Sequence, residues 1–449
     1  MLIRDRGFYK SFFSLFGVLV LQNVIAFSVN LADNIMIGGY SEAALSGVAA
    51  VNQIQFWFQQ LTMSAAEAVV VLSSQYWGQK RTAPIKTITG AALILAFSIG
   101  FLLFLVTSIY PNEVIGLFTP SEKIIFEGVN YLKIIRFTYI IFALTSVLLA
   151  MLRSVETVKI AFYVSLSTLI INCCINYVLI NGHFGAPQMG VRGAAIGTLT
   201  ARITEFLIIV CYLVFADKRL NVRIKDFFCG AKQLYADYFK NCVSFIVTGL
   251  IFGTSTALQT VILGHMNDSA IAANSVATTL YQLLKVATIG AASAASVHIG
   301  MAVGKGDMNY VKSMAKTLQV IFLCIGILTS ITLLILKTPV LGLYKLSSET
   351  KAMASSFISV LCVTCIGTGY QMPVACGIIR GGGDAKFILI NDLISLWLIV
   401  IPISFAAAFV WKWSSVAVVA CLNSDQVFKC LAVGIKANRY KWIKKLTRE

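Results

Sequence analysis

Apolar runs of roughly 20 residues recur along the whole chain, and no other feature narrows its possible folds as far. Hydrocarbon offers no water to the backbone, so a spanning segment must be a helix, which pairs its own amides, or a strand of a closed barrel. Continuous apolar runs without alternation read as helices. The chain is therefore expected to be an all-α integral membrane protein with about twelve transmembrane helices. The remaining composition agrees: 58% of the 449 residues are hydrophobic, 12% are charged and the mean hydropathy is +0.83, outside the range of soluble domains.

The longest polar interval, residues 216–238, divides the runs six and six. Residues 1–215 are expected to form an N-terminal six-helix bundle, 216–238 a cytoplasmic linker, and 239–449 a C-terminal six-helix bundle with a basic cytoplasmic tail. Alternate loops are rich in Lys and Arg: Arg4, Arg6 and Lys10, then Lys80, Arg81 and Lys86, then Arg153 and Lys159, and later Arg380 and Lys386. Loops that keep their basic residues stay inside, which puts both termini in the cytoplasm of a multi-pass inner (plasma) membrane protein. The net charge of +17 follows from that asymmetry and from attraction to anionic lipid, so nucleic acid is not an expected partner. The first apolar segment is read as a retained helix rather than a cleaved signal peptide.

The two halves echo each other. Gly38 falls on Gly264, Glu42 on Asp268, Ala44 on Ala270, the Ala65, Ala66 and Ala68 group on Ala291, Ala292 and Ala294, and Gly78 on Gly304. Asp33, by contrast, falls on Gln259. A duplicated bundle around a midplane site is a common transporter plan, so a carboxylate present in one copy only marks where coupling is to be sought.

Polar side chains inside apolar runs cost a few kcal/mol each when charged, and need a partner, a wet cavity or a function. Asn23, Asn30 and Asp33 form one stripe on the first helix, and Asn172 and Asn176, four apart, share a face of the fifth. Counting about 1.5 Å per residue from the helix ends places Asp33, Asn176 and Thr198 in one layer, one to two turns below the outer surface. A carboxylate, two amide oxygens and a hydroxyl suit a small cation such as Na⁺; the same carboxylate could equally carry a proton. The plainer reading has Asp33 bonded to a loop and the Asn pair joining helices.

On the second helix Gln53, Gln60 and Glu67 occupy successive heptad positions and are read as lining a cavity, with Glu67 either a second protonation site or a structural hydrogen-bonding group. Arg202 and Glu205 are expected to pair with each other. Lys285, deep in the eighth helix, could repel cations or bind an anion, and Asp392 is read as an interfacial residue near Lys386. The glycines of Ile378 to Lys386 form a helix turn rather than a phosphate loop, since the Lys-Ser/Thr of such a loop is missing. The eleven cysteines sit mostly in apolar runs as small hydrophobes, and the three histidines do not reach metal-ligand spacing.

The run from Ala32 to Gly39, the stretch Ser73 to Arg81, the stretch Ile171 to Thr198 and the run Ile378 to Asp384 resemble the multidrug and toxic compound extrusion (MATE) family, most closely its prokaryotic DinF-like branch. The resemblance covers essentially the whole chain. It implies two pseudo-twofold-related six-helix bundles that open alternately to either side, and efflux driven by H⁺ or Na⁺. It also implies a cation site on the first, fifth and sixth helices, which Asp33, Asn172 and Thr198 match; Asn176 stands where that branch has a second Asp. Acids that another branch carries on the seventh and tenth helices are replaced here by Ser255 or Gln259 and by Gln371.

The expected function is a secondary antiporter, not an enzyme, exporting amphipathic cationic organic compounds. Asn23, Asn30, Gln53, Gln60, Glu67, Gln259, Lys285 and Gln371 are its candidate cavity-lining residues, and Asp33, Asn172, Asn176 and Thr198 its coupling site. No cofactor is expected beyond a coupling H⁺ or Na⁺. The expected partners are a small-molecule substrate and membrane lipid, with the chain acting as a monomer. The rival readings are a lipid-linked precursor flippase, which would need a larger basic cavity than Lys285 and Arg202 supply, and a polytopic membrane enzyme, for which the scattered histidines give no constellation.

Overall fold

A computed structural model describes residues 2–228, 230–266, 268–343 and 347–448. Among them the long elements are all helices, as the apolar runs require. In chain order they are α1 (Arg6–Tyr40), α2 (Glu42–Gly78), α3 (Thr82–Ile109), and α4, made of Glu122–Ile135 and Phe137–Ser154 on either side of Arg136. Then come α5 (Lys159–Asn181), α6 (Val191–Ala216), α7 (Lys232–Gly264) and α8 (Asp268–Lys305). The last four are α9 (Met308–Leu343), α10 (Ser348–Ile379), α11 (Ala385–Val410) and α12 (Ser415–Asn438).

Eleven of these are long and apolar enough to cross a membrane. The exception is α2, which has the length but not the hydropathy, because Asn52, Gln53, Gln55, Gln59, Gln60 and Glu67 interrupt its apolar surface. Large apolar side chains such as Leu102, Ile109, Leu328, Ile335 and Leu398 stand exposed, the distribution expected of a surface that meets hydrocarbon.

The chain divides into two compact units. One consists of Met1–Val20, Ser74–Gln79 and Val247–Glu449, the other of Leu21–Ser73 and Lys80–Ile246. They are called the C-terminal and N-terminal units below. The division interleaves in sequence, where sequence reading places one break at 216–238: the first turns of α1 and the last of α2 belong with the C-terminal helices. The expected linker is also shorter, since α7 already begins at Lys232. Its central part lies against the N-terminal unit, where Lys86 donates to Asp226 at 2.7 Å and holds that carboxyl below the ordinary range.

In the N-terminal unit the repeated alanines Ala65, Ala66 and Ala68 are buried, as are their counterparts Ala291, Ala292 and Ala294 in the C-terminal unit, so the shared positions are packing positions. The shared glycines do the same work at closer range. A Cβ on Gly78 would overlap the carbonyl of Met301, and one on Gly304 would overlap the carbonyl of Gln75. Only hydrogen at both positions lets the ends of α2 and α8 touch backbone to backbone.

The basic tail is docked rather than loose. Trp442 is fully buried and its indole Nε1 donates to Ala437 O at 2.8 Å. The side chain of Gln75, itself buried, donates to Lys444 O at 3.1 Å and accepts from Leu446 N at 2.8 Å. Asp384 accepts from Lys436 and Lys444, each at 2.8 Å. Burial opposes the charge on Asp384, but these two ammonium groups outweigh it and hold the carboxyl below its usual range. A depressed folded-state value means that the clasp contributes stability above about pH 4 and loses it as the pH falls through that value.

Candidate functional site

The N-terminal unit encloses a cavity of about 40 Å³, lined from α1 by Asn30, Asp33 and Asn34, from α2 by Asn52 and Gln55, from α4 by Tyr131, and from α5 and α6 by Asn172, Thr198 and Arg202. At roughly 10–15 Å³ per water, it has room for about three. The lining is polar although every helix that contributes to it is of membrane-spanning length. Hydrogen bonds join several of these groups across the helices.

Asn176 Nδ2 donates to Asp33 Oδ1 at 2.6 Å and to Asn172 Oδ1 at 3.2 Å; Asn172 Nδ2 donates to Thr198 Oγ1 at 3.2 Å. This chain ties α1 to α5 and α5 to α6. Asn172 and Asn176 are almost completely buried, whereas Asp33 and Thr198 are half-buried at the cavity wall. Asp33, Asn176 and Thr198, which counting by depth puts in one layer, are thus brought together, with Asn172 beside them. Two acceptors face Asn176, which fixes its amide nitrogen toward them.

The amide oxygen of Asn176 then points the other way. It is buried and has no hydrogen-bond partner. A Cβ on Gly197 would overlap that same oxygen, so α6 must carry glycine where it crosses α5. Replacing Gly197 with Ala is expected to displace the Asn176 side chain and break its bond to Asp33. The overpacking should cost about 1–3 kcal/mol. Gradient-driven transport should drop by at least about tenfold, since the displaced donor is a hydrogen bond to a charged group. A thermal-shift assay beside a proteoliposome assay reads both.

The sixth helix brings a charge pair to the same wall. Arg202 donates to Glu205 at 2.7 Å, as its spacing predicts, and its guanidinium lies 4.9 Å from the ring centre of Phe142. Arg202 also acts electrostatically on Asp33. With all three groups ionised the wall carries a net charge of −1, which one bound cation or proton neutralises.

The hydrogen bonds bear on the choice between those two. A hard cation takes about six oxygen ligands, and here both amide nitrogens are spent as donors, one of them on the carboxylate itself. The orphan Asn176 oxygen is packed against Gly197, on the side away from the carboxylate. As arranged, the residues support a carboxylate by donation and do not make an oxygen cage for Na⁺. Among the described residues no group of three or more His, Cys, Asp or Glu has metal-binding geometry.

Other expected lining residues fall elsewhere. Asn23 and Gln60 are half-buried and Gln53 is exposed, and none borders the cavity. Glu67 forms an ion pair with Arg153 at 2.5 Å and does not border the cavity. The polar stripe of α2 that does reach the cavity is Asn52 and Gln55, one helical step round from the heptad positions.

In the C-terminal unit Gln371 is buried and donates to Gln426 Oε1 at 2.9 Å, in a chain that continues through Asp425 to Lys429. Asp392 pairs with Lys429 at 2.9 Å rather than with Lys386, because α12 sets a buried ammonium against it. Gln259 is half-buried on α7. Tyr131, Asn34, Asn52, Gln55 and Thr168 are polar lining residues that sequence reasoning missed. A tyrosine hydroxyl in an apolar run, which needs a partner when buried, was the available signal for the first.

The MatE family model matches residues 19–178 and 244–406. The chain is 24% identical over 411 residues to a protein of Listeria innocua named probable multidrug resistance protein NorM, covering 89% of this chain and 88% of that one. It is 25% identical over 441 residues to a Thermotoga maritima protein of the same name, covering 95% and 92%. Among solved structures, a eukaryotic MATE transporter aligns over 98% of this chain and 97% of its own at a TM-score of 0.86 with 17% identity. A multidrug resistance MATE family transporter in an outward-facing conformation aligns over 96% of both chains at 0.85 with 16% identity.

Proposed function

This chain belongs to the MatE family, and on that premise we propose that it is a multidrug efflux antiporter exchanging organic compounds for protons, with Asp33 as the proton carrier. The observation that carries the reading is the donation from Asn176 to Asp33 in a half-buried, water-sized cavity. The names of the Listeria and Thermotoga relatives support the cargo class. The Lys and Arg distribution supports an orientation with both termini inside.

The proton has a definite structural consequence in this scheme. Ionised Asp33 accepts from the amide nitrogen of Asn176. Protonated Asp33 presents an O–H that needs an acceptor, and the partnerless oxygen of Asn176 is one amide rotation away. That rotation reverses the polarity of the α1–α5 bond and takes the amide nitrogen away from Asn172 Oδ1, a bond within α5, so protonation rearranges the hydrogen bonds of the site. Two packings of the site, selected by one proton, are what alternating access requires.

Proteoliposomes with separately imposed gradients test the ion. A pH gradient is expected to drive accumulation of a fluorescent organic cation and a Na⁺ gradient at constant pH to leave it at the passive level. Stimulation by Na⁺ alone would overturn proton coupling.

A further inference from the structure

Lys285 stands near the middle of α8, about 25 Å from the Asp268 end and about 30 Å from the Lys305 end at roughly 1.5 Å per residue. Its ammonium lies 5.7 Å from the ring centre of Phe252 on α7 and 5.9 Å from that of Tyr281. Among the described residues it has neither an ion pair nor a hydrogen bond. The carboxylate that acts on it, Asp425, is already taken by Lys429 at 3.0 Å and by Gln426 Nε2 at 2.8 Å. The Asp392–Lys429–Asp425 triad balances the charge of Lys285 at longer range but leaves its three N–H donors without acceptors.

Two further features lie along the same two helices. Ser255, one turn along α7 from Phe252, is buried with a hydroxyl that has no partner. On α8, Ser275, Thr279 and Gln282 are exposed and precede Lys285 at spacings of four, three and three, giving a polar stripe on a helix of membrane-spanning length. The register that sets Gly38 on Gly264 sets the neutral Gln59 against Lys285, so the cation belongs to the second copy alone, as the coupling carboxylate belongs to the first.

We propose that Lys285, with the Ser255 hydroxyl and the faces of Phe252 and Tyr281, is a recognition subsite for a carboxylate on an aromatic substrate. The ammonium takes the carboxylate, the hydroxyl donates to its second oxygen, and the two rings pack on the aromatic body. The inference deepens the transporter reading and rests on it: the cargo class becomes aromatic acids and zwitterions rather than cations alone.

The test uses a rhodamine with a free carboxylate and its methyl ester, two probes that differ only in the acid. Binding to the purified full chain is read by fluorescence anisotropy, without any gradient. The wild type is expected to bind the acid more tightly than the ester. Lys285→Gln should weaken the acid by about tenfold and leave the ester unchanged, and Lys285→Arg should keep the acid preference. Equal loss for both probes, no loss for either, or a wild type that prefers the ester would overturn the subsite. The ester also reports that Lys285→Gln is folded. Because the assay imposes no gradient, failure of proton coupling at Asp33 leaves its outcome intact.

Discussion

Asp33→Asn is expected to bring the steady-state accumulation ratio of a transported dye down to one in proteoliposomes under a pH gradient, with the protein folded and inserted as before. Each coupled proton contributes about 1.4 kcal/mol per pH unit, a tenfold factor in the limiting ratio. Asparagine matches aspartate in size and keeps an oxygen that can accept from Asn176, so the 2.6 Å contact to α5 has a replacement. What it lacks is a titratable group, and it stays in the neutral condition that the proton would otherwise create. The variant should therefore still equilibrate dye passively while losing any dependence on pH. Uphill transport undiminished in Asp33→Asn would remove Asp33 from the mechanism. For a zwitterion of zero net charge, the membrane potential adds about 2.3 kcal/mol per proton per 100 mV, so such cargo should respond to potential where a monovalent cation exchanged for one proton does not.

The largest stability effect is expected at Lys429. Its ammonium is 5% exposed and bridges Asp392 at 2.9 Å and Asp425 at 3.0 Å, the second of these carboxylates being 2% exposed. Lys429→Met keeps the volume and leaves two carboxylates facing each other with no counter-charge, which should cost about 3–5 kcal/mol. Thermal unfolding in detergent should show a large fall in Tm and a low yield of folded protein. Adding Asp425→Asn removes one of the stranded charges and should recover part of the loss. A single variant as stable as the wild type would mean that the triad carries no structural role.

These sites were legible in the sequence to different depths, for physical reasons. Asp33, Asn176 and Thr198 could be placed together because helix rise is fixed and the span ends are marked by polarity, so depth along the membrane normal follows from counting. Angle about the helix axis does not follow in the same way. The α2 helix offers two polar stripes, one through Gln53, Gln60 and Glu67 and one through Asn52 and Gln55, and only packing decides which of them meets Asp33. Partners contributed by another helix are harder still. Lys429 and Asp425 stand four apart on α12, and nothing in the sequence joined Asp392 to them. Tyr131 reaches the cavity from a helix with no motif of its own. The docking of the tail was invisible for the opposite reason: a basic, polar terminus reads as solvated until its Trp442 is seen buried and its Lys444 bonded to Gln75.

That docking has a consequence for synthesis. Gln75 leaves the ribosome about 370 residues before Lys444 and Leu446, which at about 5–20 residues per second is a wait of roughly 20–70 s. Through that interval its amide sits at the end of an inserted helix without the backbone groups that finally hold it. The C-terminal unit can therefore close only when the last residues have been made, and a chain halted before Lys444 would display an unfinished polar end to whatever machinery surveys the membrane.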